Sequence, residues 1–144
     1  MGDGPEREYL EELVNKLSLQ DRVKLLGFVG DEEKFAYLSQ SDLFVLTSMH
    51  EGFGIVFMEA MYCGLPIVAT NHGGQIDFLS HEQNALLINV GDTKGCAESI
   101  MRFYNDKKLY ARCSVNNKKK ISTFYAENVA GRYMNIFLSL IDRK

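Results

Sequence analysis

Apolar residues recur along this chain at helical spacing, then in short blocks, and the two patterns alternate to its end. Pro5 fits a first helical turn, where its missing N–H costs nothing, and Leu10, Leu13, Val14 and Leu17 then follow at i, i+3, i+4 and i+7. That spacing predicts an amphipathic helix. VKLLGFV (23–29) is short, apolar and closed by glycine, and Asp31, Glu32 and Glu33 behind it suit a helix N-terminus. A strand feeding a helix through Phe35 and Leu38 is expected there. The pattern repeats as strand LFVLTS (43–48), a glycine-containing loop, helix IVFMEAMYC (55–63), the turn Gly64-Leu65-Pro66 and strand IVAT (67–70). Strand ALLINV (85–90) then leads through Gly91 and Asp92 into a helix carrying Ala97, Ile100, Met101 and Tyr104. A last helix carries Val129, Tyr133, Ile136, Phe137 and Leu140 as one apolar stripe.

Strands of four to six residues separated by helices of about ten imply βαβ crossovers, hence an α/β fold with a doubly wound parallel sheet. Ligands of such sheets bind outside the carboxyl ends of the strands, so the loops after residues 29, 48 and 71 are the expected functional positions. The opening Met-Gly-Asp-Gly-Pro is turn chemistry that normally follows a strand, and it predicts a chain cut inside a larger domain. With 144 residues, 46% of them hydrophobic, the chain has room for one ordinary domain. A net charge of −3 gives no electrostatic footprint for nucleic acid. No apolar stretch approaches the roughly 20 residues of a membrane span, and no signal-peptide core opens the chain, so a cytoplasmic protein is expected. Cys63, Cys96 and Cys113 form neither a disulfide framework nor a zinc-ligand spacing.

The segment from Ser48 to Glu59 concentrates the chemistry. A strand ends near Ser48, Gly52 and Gly54 loosen the backbone, and a helix starts near Ile55, so the N–H groups of Phe53, Gly54 and Ile55 can point outward at a phosphate. The bland alternative is that both glycines only make a turn. Glu59 stands on a helix otherwise apolar all round, where a carboxylate needs polar partners. A ligand could supply them, and so could solvent or backbone. Glu51 and Glu59 lie eight residues apart on opposite sides of the helix start, so they would reach different parts of one extended ligand, a carboxylate being well suited to vicinal hydroxyls.

These residues resemble the C-terminal domain of a GT-B glycosyltransferase of the retaining family 4, within the glycosyl transferases group 1. The signature E-x7-E stands as Glu51-GFGIVFM-Glu59, followed by AMYCGLPIVAT. GDGPEREYLEEL, RVKLLGFVGDEE, SDLFVLTS, Gly73-Gly74, NALLINVGD and the C-terminal helix fit in the same order. The resemblance implies a Rossmann-like doubly wound parallel sheet with helices on both faces, truncated at its N-terminus: a single, incomplete nucleotide-sugar-binding domain over 1–144 with the acceptor domain absent. It implies that Glu51 is the catalytic-site group on the donor sugar and Glu59 a nucleotide ligand on the ribose. It also implies that the Gly52-Phe53-Gly54-Ile55 backbone, with His50, Gly73 and Gly74, serves sugar and phosphate, and that Val29 and Asp31 flank the base. The donor would be a UDP-, GDP- or ADP-sugar and the acceptor a sugar or lipid-linked glycan held by the missing domain. The resemblance further implies that no metal or other cofactor is required.

Departures from the family pattern carry their own expectations. After the two glycines an apolar residue, Pro and Glu are usual, whereas here Gln75, Ile76 and Asp77 follow, so this loop should differ in shape. The upstream Arg and Lys that clamp the diphosphate are outside this sequence, which predicts no transfer by the chain alone and an open sheet edge that could support a dimer. His50 and His72 suit either a ligand contact or a solvated loop. Asp31 suits a helix N-cap better than a base contact. Lys118-Lys119-Lys120, with Lys107, Lys108 and Arg112, reads as a solvated helix face before it reads as a membrane-surface patch. Cys63 reads as a small core residue. Two rival functions share these features: a GT-B epimerase or phosphorylase, and a non-catalytic nucleotide-sugar-binding module.

Overall fold

The computed structural model describes residues 1–141, in two compact units, the first Met1–Ser39 and the second beginning at Gln40. In the first unit the expected helix is α1 (Arg7–Lys16). None of its residues is buried.

The strand expected over 23–29 is not formed. A single antiparallel bridge joins Gly2 to Gly27, with the Gly2 N–H 2.7 Å from the Gly27 carbonyl, and the Arg7 guanidinium reaches the Leu25 carbonyl at 3.3 Å. Gly27 sits at φ +68°, which turns the chain out of the extended region, so no ladder propagates along an otherwise strand-like sequence. Asp31 is not a cap either. The Gly30 carbonyl accepts from Lys34 N–H at 2.8 Å, so Asp31 is the first residue of α2 (Asp31–Gln40), where its carboxylate meets Lys34 Nζ at 2.9 Å. That contact holds the Asp31 carboxyl below its usual range.

The second unit is built on a parallel sheet ordered β1 (Phe44–Leu46), β2 (Ile67–Thr70), β3 (Ala85–Ile88). Its register sets Phe44 beside Ile67 and Ile67 beside Ala85. β2 is buried along its whole length, as a central strand covered on both faces must be. One face buries Val68, Leu86 and Ile88 against Phe103 of α4 (Thr93–Asn105) and Leu109 and Cys113 of α5 (Lys107–Ile121). On the other, Phe44 packs edge-on against Phe57 of α3 (Ile55–Tyr62) at 5.8 Å between ring centres.

Helix α5 lies in the stretch read from the sequence as a solvated basic helix face, and its apolar face is what that reading did not show. Asp106 caps it, accepting from the N–H groups of Lys108 and Leu109, and Leu109, Cys113, Asn117 and Ile121 form its buried face while Lys118, Lys119 and Lys120 are exposed. Asn117 is fully buried and donates to the carbonyls of Leu65, at 2.7 Å, and Asn84, at 2.9 Å, so it ties the turn before β2 to the loop before β3. Burial pushes the Cys113 thiol up to about 11. The final helix, α6 (Ala126–Ile141), carries the expected stripe but buries none of it: Tyr133, Ile136, Phe137 and Leu140 are exposed and Val129 is half-buried. Among the described residues no helix is long and apolar enough to cross a membrane.

Candidate functional site

Two loops at the carboxyl ends of β1 and β2 meet backbone to backbone. The first, residues 47–54, leads into α3 through Gly54, which is buried at φ +77° and ψ +64°. A Cβ at Gly54 would stand 2.5 Å from the Phe57 ring and 3.1 Å from Glu51 Cγ, so glycine is required here by both conformation and space. Gly54 also leaves the helix start without a side-chain cap, and no acidic residue occupies the first turn of α3. The leading N–H groups of a helix have no intrahelical partner, and the positive end of its dipole lies among them. An anion is the natural complement.

The second loop follows β2 and enters a 3-10 turn, Gly74–Asp77. The Gly74 N–H donates to the Glu51 carbonyl at 2.9 Å. A Cβ on Gly74 would stand 1.9 Å from the Gly52 carbonyl oxygen, and one on Gly73, at φ +105°, would stand 2.6 Å from that of Glu51. The two glycines are therefore what lets the loops touch. Thr70 Oγ1 adds a tie by donating to the Ser48 carbonyl at 2.9 Å.

The structure thus gathers Glu51, Gly52, Gly54, Gly73 and Gly74 at one junction of the two loops. Glu51 is half-buried, while His50, His72 and Ile55 are exposed at its margin. Gly52 is exposed and faces open space. Phe53 is exposed, with its ring edge-on against Phe78 at 5.6 Å and Phe124 at 6.4 Å, in a cluster that continues through Phe57. Glu59 is half-buried on α3, five residues into the helix from Gly54, or about 7 Å along its axis. It is near enough to Cys63 that its charge adds to burial in raising the Cys63 thiol; Cys63 itself is half-buried rather than a core residue. Val29, half-buried, and Asp31, exposed, belong to the first unit.

Sequence reasoning missed the supports of this junction: Thr70, Gln75, Phe78 and Phe124. Gln75 registered only as a departure from an expected apolar residue, and nothing in the spacing of the phenylalanines announces that residues 53, 78 and 124 converge.

Residues 1–120 match the family described as Glycosyl transferases group 1. Over 96% of its length the chain is 32% identical to the 2-deoxystreptamine N-acetyl-D-glucosaminyltransferase of Niallia circulans, covering 36% of that protein. Over 95% of its length it is 36% identical to the lipopolysaccharide core biosynthesis glycosyltransferase LpsD of Rhizobium meliloti, covering 40% of it. The structure of Anabaena HepE in complex with UDP-glucose superposes on 94% of the chain with a TM-score of 0.78 and 31% identity, 38% of that chain being covered. The chain therefore spans about two fifths of the length of these relatives, and it matches the parallel-sheet half of a GT-B fold.

Proposed function

The chain belongs to the glycosyl transferases group 1 family, and on that premise we propose that it forms the donor-binding part of a retaining, family 4 glycosyltransferase. The observation that carries this reading is the uncapped start of α3, with Glu51 folded beside it and held by Gly74. A nucleoside diphosphate sugar has a matching order of groups. Its distal phosphate would sit on the amides of Phe53, Gly54 and Ile55, next to Gly52. Its sugar hydroxyls would meet Glu51 beside His50, Gly73 and Gly74, and its ribose would meet Glu59 further along α3. That curated relatives of this chain are named transferases, and that a structural relative is solved with UDP-glucose, supports this reading over an epimerase, a phosphorylase or a binding module without turnover.

In the reaction proposed, the bond between the sugar C1 and the distal phosphate oxygen breaks and a bond from C1 to the acceptor oxygen forms on the same face. The departing phosphate oxygen takes the acceptor's hydroxyl proton, and the proposal includes no metal and no other cofactor. Negative charge grows on the phosphate as the bond breaks, and oriented amides at a helix start are suited to stabilise it. A sugar or lipid-linked acceptor, delivered by a further domain of a cytoplasmic enzyme, completes the proposal.

Ligand-observed NMR against UDP, GDP, ADP and their sugar conjugates tests it. Glu59→Ala should weaken nucleotide binding by about 1 to 3 kcal/mol, the loss of charge-assisted hydrogen bonds. Glu51→Ala should weaken the sugar conjugate and leave the nucleoside diphosphate unaffected. Nucleotide affinity unchanged by Glu59→Ala would remove the ribose assignment.

A further inference from the structure

Gln75 is fully buried at the second position of the 3-10 turn, a place where an apolar side chain would pack at no polar cost. Its Nε2 donates to the His72 carbonyl at 2.6 Å and the Thr70 carbonyl at 3.0 Å, with Thr70 Oγ1 at 3.2 Å. Two carbonyls facing one end of the carboxamide settle which end is nitrogen, since an oxygen there would meet only acceptors. Oε1 therefore points the opposite way. It accepts no hydrogen bond among the described residues. It also lies 2.7 Å from where a Cβ of Gly73 would stand, a point itself 2.6 Å from the Glu51 carbonyl oxygen and 3.2 Å from the Glu51 nitrogen.

A buried carbonyl oxygen without a donor lowers stability, so packing alone does not account for glutamine here. The hydrogen bonds around it do. Gln75 holds the backbone at both Thr70 and His72. Thr70 Oγ1 donates to the Ser48 carbonyl, and two residues beyond His72 the Gly74 N–H donates to the Glu51 carbonyl. The segment Ser48–Glu51 is thus tied at its two ends to backbone whose shape one carboxamide sets.

We propose that Gln75 is a positioning residue for Glu51: by fixing the backbone from Thr70 to Gly74 it holds the Gly74 amide on the Glu51 carbonyl, and so sets where the Glu51 carboxylate is presented. The structural half of this stands by itself; its consequence for ligands rests on the reading of Glu51 as the sugar-binding group.

Gln75→Met tests both halves, because it keeps the side-chain length and removes the donor and the acceptor. Gln75→Glu, which keeps the shape and replaces the donor nitrogen by an acceptor, is read in the same way should the methionine variant fold poorly. Amide hydrogen exchange at Gly74 should quicken by about tenfold or more, through local opening, while Val68 and Ala69 in β2 keep their protection. Unchanged protection at Gly74 overturns the proposal. The preference for UDP-glucose over UDP should fall about tenfold in Gln75→Met, yet fall no further when Gln75→Met is added to Glu51→Ala, as expected when one residue acts through the other. Losses that multiply independently overturn the link to Glu51. Should Glu51→Ala leave that preference untouched, the sugar-binding reading fails, and Gly74 exchange still decides whether Gln75 sets the loop.

Discussion

Gly54→Ala separates a glycine that the backbone demands from one that merely fills a loop. At φ +77° an alanine pays about 1–2 kcal/mol for the left-handed conformation. Its methyl would stand 2.5 and 2.8 Å from two atoms of the Phe57 ring, which is 1% exposed and wedged between Phe44 and Phe78, so the ring cannot swing away freely. Overpacking of that kind costs about 1–3 kcal/mol. Alanine also stiffens the unfolded chain, which returns roughly 0.4–1 kcal/mol. The net is a loss of about 3 kcal/mol, which at about 4 °C per kcal/mol for a domain of this size lowers the melting temperature by roughly 12 °C. Gly52→Ala is the control: Gly52 is exposed with nothing within 4 Å of an added Cβ, so its change should stay within about 0.5 kcal/mol. Urea unfolding of both variants measures the difference. A Gly54→Ala loss below about 1 kcal/mol, or one equal to that of Gly52→Ala, would refute the claim that this entry to α3 is strained and filled.

Two further predictions concern the frame. Asn117→Ala removes the donor to two buried carbonyls, those of Leu65 and Asn84, and should cost about 2–4 kcal/mol by urea unfolding; a loss under about 1 kcal/mol would mean the carbonyls find other donors. The Arg102 guanidinium beside Glu82 holds its carboxyl below the usual 4.5, so the stabilisation it brings is present above that pH and is lost as pH falls through the lowered folded value. Glu82→Gln should therefore melt lower than the native chain at neutral pH, with the gap closing in acid; a gap independent of pH would refute the pairing.

How much of this was legible beforehand depended on how local the cause was. Strand β2 matched its expected bounds and α3 ended within a residue of them, because three successive apolar residues and a threonine after Gly-Leu-Pro, and a helix opened by glycine, carry their own instructions. The junction of Glu51 with Gly73 and Gly74 was anticipated by resemblance, but its reason, carbonyl oxygens standing where Cβ atoms would be, exists only between segments. Helix α5 showed its polar face to the reader and hid the other: Leu109, Cys113, Asn117 and Ile121 recur every four residues, and an asparagine in that row disguises it.

The chain by itself determined the strands and helices from Phe44 to Asn105, the turns that join them and the uncapped start of α3, all of which follow from side-chain periodicity and the conformations open to glycine and proline. Tertiary structure decided what needed a partner. VKLLGFV has strand chemistry, yet it forms one bridge, because a ladder needs continuous extended backbone on both sides and Gly27 turns away. The α6 stripe is helical whether covered or not, since its hydrogen bonds are internal, but only the folded molecule reveals that it lies exposed. Gln75 stands out in the sequence only as a polar residue where an apolar one is usual; buried between two carbonyls it is a brace, because a polar side chain goes inside only where the fold supplies its hydrogen bonds.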